Sequence, residues 1–237
     1  MERKPEIIVF ESRQQMAERV ADLVELSIRS ALYEKETASL AVSGGSTPAD
    51  LYKALSIRDL EWDRVAVPLV DERWVAPNAL GSNEAFINET LRQNSAKSAK
   101  IIGLWSDVET PAMGLDTACQ RLGNAGALLD VAVLGMGNDG HTASWFPHAE
   151  GLAHALSSES TPFAAISAKK SEVTGEYVNR VTMTLGLVNQ AKTICLLITG
   201  DEKRRTLMSA LEDGPVEEMP VRAILRSRPD LWICWAP

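Results

Sequence analysis

His141 is the residue on which chemistry could turn. It follows a turn whose glycines fall at Gly135, Gly137 and Gly140, within VAVLGMGNDGHTASWFPH at Val131 to His148. A neutral imidazole suits proton transfer near pH 7. Asp139, two residues earlier, is a carboxylate close enough along the chain to orient it. A second candidate stretch is Ser43-Gly44-Gly45-Ser46-Thr47-Pro48. Such a loop would aim backbone N–H groups and hydroxyls at one spot, at the positive end of a helix, which suits an anion. It reads equally as an ordinary turn, with Thr47 as N-cap and Pro48 at the first helical position. No Gly-Lys-Ser/Thr follows, so it is not a Walker A loop. Asp71-Glu72-Arg73 closes another apolar run, as ligand groups or as a solvated strand end. Arg180 sits among alternating residues and reads as a polar-face or an exposed edge-strand arginine. Lys203 falls in a first helical turn, where its charge opposes the macrodipole and an anionic ligand would relieve it; Arg204 and Arg205 allow a solvated face instead.

The elements that must position these residues alternate strand and helix. Strands are expected at Glu6 to Phe10, Ala38 to Val42, Val65 to Val70, Ile101 to Trp105, Val131 onward, Phe163 to Ser167, Tyr177 to Leu185, Lys192 to Thr199 and Leu231 to Trp235. Ser12 with Gln15 is a capping-box signature for a helix from about Arg13 to Tyr33. Ser82 can cap a helix through Phe86, Ile87 and Leu91, and Thr110-Pro111 opens another ending near Gly123 to Gly126. Gly151 to Pro162 reads as irregular. Gly200 to Lys203 begins a helix to about Leu211, and Val221 to Leu225 is a short one. In a parallel open sheet, ligands bind beyond the carboxyl ends of the strands. The Ser43 loop, the Asp71 segment and the His141 turn each follow such an end.

Net charge and length narrow the classes. With 237 residues the chain is long enough for one full α/β core, and residues 1–237 are read as one domain. A net charge of −8 and a pI near 5.0 argue against a nucleic-acid surface. Three dispersed cysteines, Cys119, Cys195 and Cys234, suggest neither a disulfide framework nor a zinc cluster, and fit a reducing compartment. The N-terminus lacks a signal-peptide pattern, and no apolar run approaches the roughly 18 residues of a membrane span. The expected setting is the cytoplasm.

Several chemistries are disfavoured. Gly135-x-Gly137-x-x-Gly140 matches the dinucleotide pattern, but it lies past mid-chain and the next strand ends in Ser167-Ala168-Lys169-Lys170 rather than an acid. Only three histidines are present, with no HExxH pair, and there is no G-x-S-x-G elbow. What remains is an acid–base histidine with carboxylates nearby and an anion cradle.

These motifs together resemble the glucosamine-6-phosphate deaminase/6-phosphogluconolactonase family. The resemblance rests on SGGSTP at Ser43 to Pro48, DERWV with Ser82-Asn83, GMGNDGHTASWFP at Gly135 to Pro147, and RVTMT at Arg180 to Thr184. It departs at Trp145, where lactonases usually carry Leu, and at Ala76, where Pro is common. The resemblance implies a doubly wound, mostly parallel sheet with helices on both faces and no cofactor or metal. It implies hydrolysis of 6-phospho-D-glucono-1,5-lactone, a small sugar phosphate, by a monomer or homodimer. His141 would be the base and Asp139 would orient it or the sugar hydroxyls. Arg73 or the N–H groups of the glycine turn would stabilise the oxyanion. The Ser43 to Thr47 loop with Arg180 and Lys203 would hold the phosphate, and Asp71, Asn83 and Gly137 complete the expected binding residues. Phe146 stands where the deaminase pattern has a glutamate, which separates the two activities. A sugar-phosphate sensor would be expected to carry a helix-turn-helix domain before the Ser43 loop, where only 42 residues stand.

Overall fold

A computed structural model describes residues 5–126, 129–157 and 161–237. Among the described residues, ten strands run in chain order as β1 (Ile7–Val9), β2 (Ala38–Val42), β3 (Val65–Pro68), β4 (Asp71–Arg73), β5 (Lys100–Ile102), β6 (Val131–Gly135), β7 (Phe163–Ser167), β8 (Asn179–Met183), β9 (Thr193–Thr199) and β10 (Trp232–Ala236). The α-helices are α1 (Arg13–Glu34), α2 (Ala49–Ser56), α3 (Asn83–Thr90), α4 (Pro111–Asn124), α5 (Leu152–Ala155), α6 (Leu185–Val188), α7 (Asp201–Ala210) and α8 (Val221–Ser227).

Seven strands form one sheet in the order β1-β10-β9-β6-β2-β3-β5, with every pairing parallel. Its central strands are apolar on both faces because both are covered, so β2, β6 and β9 read as near-continuous hydrophobic runs. The expected doubly wound sheet is therefore observed. From β2 the chain proceeds outward through β3 to β5, then returns to β6 on the other side of β2 and continues toward β9. Adjacent loops after β2 and β6 thus diverge, and that switch point opens a crevice at the carboxyl ends of the strands.

Sequence patterning placed the long elements closely. Ser12 caps α1 through Gln15 N, Ser82 caps α3 through Ala85 N, and Thr110 caps α4 with Pro111 in its first turn. The expected Thr47 cap is not formed. Pro48 is the N-cap of α2, without a side-chain bond, and the Thr47 hydroxyl lies 3.4 Å from that of Thr199 at the end of β9. The span from Gly151 to Pro162 holds the short helix α5, and residues 158–160 lie outside the described ones.

A larger departure is a second sheet. Asp71-Glu72-Arg73 does not close β3; it forms β4 in a separate antiparallel sheet ordered β4-β8-β7. In register, Asp71 faces Thr182, Glu72 faces Val181 and Arg73 faces Arg180. Pro68 ends β3, and the Met183 N–H donates to Val70 O at 2.7 Å, turning the chain from one sheet into the other. The small sheet stands beside the switch point and walls the crevice.

Candidate active site

The crevice is a cavity of about 500 Å³. Every candidate residue from the sequence lines it except Asp139, which sits behind His141. The turn after β6 is held by Gly137 N–H to His141 O at 2.9 Å and Gly140 N–H to Gly137 O at 3.1 Å. Gly140 has φ +78°, a region that favours glycine. A Cβ on Gly137 would fall on the His141 ring and crowd Asp139. That absence of a side chain lets the turn fold back on itself and bring acid and imidazole together.

Asp139 Oδ1 lies 2.6 Å from His141 Nδ1 and also accepts the His141 backbone N–H at 3.1 Å. Burial raises the Asp139 carboxyl, but the hydrogen bond and charge of His141 outweigh it and hold it below the usual carboxylate range. An ionised Asp139 accepts, so Nδ1 carries the proton and Nε2 keeps its lone pair. Nε2 has no hydrogen-bond partner among the described residues and is available to the cavity.

In the Ser43 loop one hydroxyl is withdrawn from the cavity. Ser43 Oγ donates to Val133 O and is committed to joining β2 to β6. The N–H groups of Gly44, Gly45 and Ser46 meet no acceptor among the described residues. Gly45 has φ +104°, and a Cβ on Gly44 would fall on the Asn83 side-chain oxygen. Lys203, half-buried at the start of α7, faces this region. Burial and Arg13 hold its ammonium below the ordinary lysine range, against the pull of Asp139 and Glu202.

Across the cavity, the small sheet contributes buried charge. Arg180 is 4 % exposed, so the edge-strand alternative is overturned: β8 is the middle strand, and its polar face is a buried wall. The planar fork is not wholly free. Nε donates to Tyr177 O at 2.6 Å and Nη2 to Thr174 O at 3.0 Å, anchoring the loop before β8, while Nη1 lies 4.0 Å from Asp71 Oδ2. Burial lowers the Arg180 pKa to about 10, with Asp71 and Glu72 opposing and Arg73 reinforcing the shift. Arg73, its cross-strand partner, donates to Gly81 O, and its buried Nε has no hydrogen-bond partner among the described residues. Like charges directly opposite in a sheet are destabilising, and an anion between them removes the penalty.

Asp71 and Asn83 link the walls. Asp71 accepts from Ser144 Oγ at 2.6 Å, and Asn83 Nδ2 donates to Asp71 O at 2.8 Å. Pattern reasoning missed Glu72 as a support. Its fully buried carboxylate accepts from the N–H groups of Arg73, Asn83 and Glu84 and from Ser82 Oγ, clasping the start of α3 to β4. Burial pushes this carboxyl up to about 7 against those backbone donors. The one sequence signal for it was a charged residue beside an apolar run, which a solvated end explains as well. Glu172 and Val173, from the loop before β8, also line the cavity and carried no signal.

The chain is similar in sequence and fold to known proteins. A family profile described as glucosamine-6-phosphate isomerases/6-phosphogluconolactonase matches residues 11–233. A protein of Rhizobium meliloti named 6-phosphogluconolactonase is 41 % identical over 97 % of this chain and 97 % of its own. The crystal structure of a 6-phosphogluconolactonase from Shewanella baltica superposes with TM-score 0.93 at 34 % identity, covering all of both chains. A monomeric glucosamine-6-phosphate deaminase, at TM-score 0.76 and 19 % identity, shares the fold. On the profile match and the identity over nearly its whole length, the chain belongs to the glucosamine-6-phosphate isomerase/6-phosphogluconolactonase family.

Proposed function

We propose that this protein hydrolyses 6-phospho-D-glucono-1,5-lactone to 6-phosphogluconate, the step that opens the lactone in the oxidative pentose phosphate route. The observation that carries the reading is the His141–Asp139 pair, with an uncommitted Nε2, facing a cavity that also gathers Arg73, Arg180, Lys203 and the N–H groups of the Ser43 loop. Curated relatives bearing the lactonase name over nearly the whole chain support it.

His141 Nε2 takes a proton from water as the oxygen attacks C1, and the carbonyl oxygen becomes an oxyanion. Arg73 or N–H groups of the glycine turn stabilise that charge. Collapse re-forms the C1 carbonyl and breaks the bond to the ring oxygen, which takes back the proton held by His141. Proton transfer by His141 contributes roughly 10²- to 10⁴-fold, while Asp139 keeps the tautomer and steadies the imidazolium. The Ser43 to Thr47 loop, Arg180 and Lys203 hold the phosphate, while Asp71 and Asn83 orient the sugar. The enzyme acts as a single domain, monomeric or homodimeric, in the cytoplasm, without metal or cofactor.

A lactonase assay with freshly generated substrate tests the reading, because spontaneous opening supplies its own baseline. The expected result is acid release far above that baseline, with no fructose-6-phosphate or ammonia from glucosamine-6-phosphate. Baseline lactone opening with deaminase turnover at an ordinary enzymatic rate would replace lactonase with deaminase.

A further inference from the structure

Phe146 lines the cavity, yet the mechanism above gives it no task. Its ring, 3 % exposed, lies against two of the working groups. The His141 ring centroid is 4.4 Å away with planes inclined by 35°. The Arg180 guanidinium carbon lies over the Phe146 ring, 5.2 Å from its centroid. Phenyl and imidazole therefore stack, and the guanidinium contacts the same phenyl ring.

The stack is fixed from outside. Phe146 N–H donates to Ser144 O at 3.1 Å, and the next turn closes by Ala149 N–H to Phe146 O at 3.2 Å. Trp145, fully buried, anchors the same segment to β8 through Nε1 to Met183 O at 2.8 Å. Asp139 holds the imidazole by one edge, and a hydrogen bond to one nitrogen leaves the ring free to tilt about it. A phenyl face against the imidazole removes that freedom. The same ring presents π density to the guanidinium and to the imidazolium that forms during turnover.

We infer that Phe146 is a positioning residue, whose ring sets the plane of the His141 imidazole and couples it to Arg180. The inference rests on the reading of His141 as the base. In the Phe146→Leu variant, which keeps an apolar side chain without an aromatic face, kcat should fall about ten- to a hundredfold with KM within about threefold. Phe146→Tyr retains the ring and should restore most of the rate. Because Phe146 and Asp139 orient the same imidazole, Phe146→Leu and Asp139→Asn should be non-additive in a double-mutant cycle.

A readout independent of turnover separates this inference from the lactonase reading. In the wild-type protein, the ring current of Phe146 should displace the carbon-bound His141 imidazole proton resonances, and Phe146→Leu should abolish that displacement while leaving those of His154 in place. If the enzyme proves inactive on the lactone but the displacement is found, the lactonase reading fails and the positioning stands. A Leu variant with wild-type kcat, unshifted His141 resonances, or a loss that simply adds to that of Asp139→Asn would overturn it.

Discussion

The two walls of the cavity are built by opposite means. The wall formed by the parallel sheet uses turns after β2 and β6, with glycines, free N–H groups and one short acid–imidazole contact, all set by residues within about six positions of each other. The wall formed by the small antiparallel sheet uses buried side chains. Asp71, Glu72 and Arg180 are tied to partners as far as seventy-three positions away, and Arg73 lies beside them with its buried Nε unpartnered among the described residues. A wall of turns can present a reactive group to water at small cost. A wall of buried ions is costly to assemble and tolerates no missing partner, so it suits a fixed anchor better than a moving proton.

Breaking the first wall should give the largest effects on rate. His141→Ala is expected to lose roughly 10²- to 10⁴-fold in kcat with its fold intact by circular dichroism, and chelators should leave the wild type unchanged. A variant within threefold of wild type would remove His141 from the chemistry. Gly137→Ala puts a methyl group where the ring and Asp139 now stand, and should cost about ten- to a hundredfold in kcat.

Breaking the second wall should separate binding from stability. Arg180→Ala removes the proposed anion contact and also frees the carbonyls of Tyr177 and Thr174, so it should lower both kcat/KM and the melting temperature. Lys203→Ala, on half-exposed α7, should lower kcat/KM by about ten- to a hundredfold with little change in melting temperature. Equal melting temperatures for the two variants would contradict the contrast between the walls.

The smallest effect sharpens the role of Lys203. Its depressed pKa means that the ammonium loses its charge as pH rises, at values where an ordinary lysine, near about 10.4, is still protonated. Affinity for 6-phosphogluconate, measured by calorimetry from about pH 8 to about pH 10, should therefore weaken early. Lys203→Met should flatten that dependence; an unchanged profile would place Lys203 away from the phosphate.

The same contrast explains what was legible in the sequence. Gly137, Asp139, His141 and the Ser43 to Thr47 loop are local: glycines at turn positions and polar groups at strand ends announce themselves in a short window. The parallel strands were equally plain, because burial on both faces leaves unbroken apolar runs. Arg180 and Glu72 were ambiguous, because a charged residue next to an apolar run has the same pattern whether it faces water or a buried partner across the sheet. The β3-to-β4 break was invisible for a related reason. Val65–Pro68 and Asp71–Arg73 are separated by a bend at Val70, and only the pairing of the last three residues with β8, more than a hundred residues on, places them in another sheet.

The central claim is that one wall carries out the chemistry while cations from both walls hold the phosphate. Its most direct test is kcat/KM on phosphorylated and unphosphorylated gluconolactone, side by side, for His141→Ala, Arg180→Ala, Lys203→Ala and the Arg180/Lys203 double variant. His141→Ala should lose the same factor on both substrates. Arg180→Ala and Lys203→Ala should each lose about ten- to a hundredfold on the phosphorylated lactone, non-additively because they share one group, and far less on the unphosphorylated one. Equal losses on the two lactones would make Arg180 and Lys203 structural and require the anion site to be placed elsewhere.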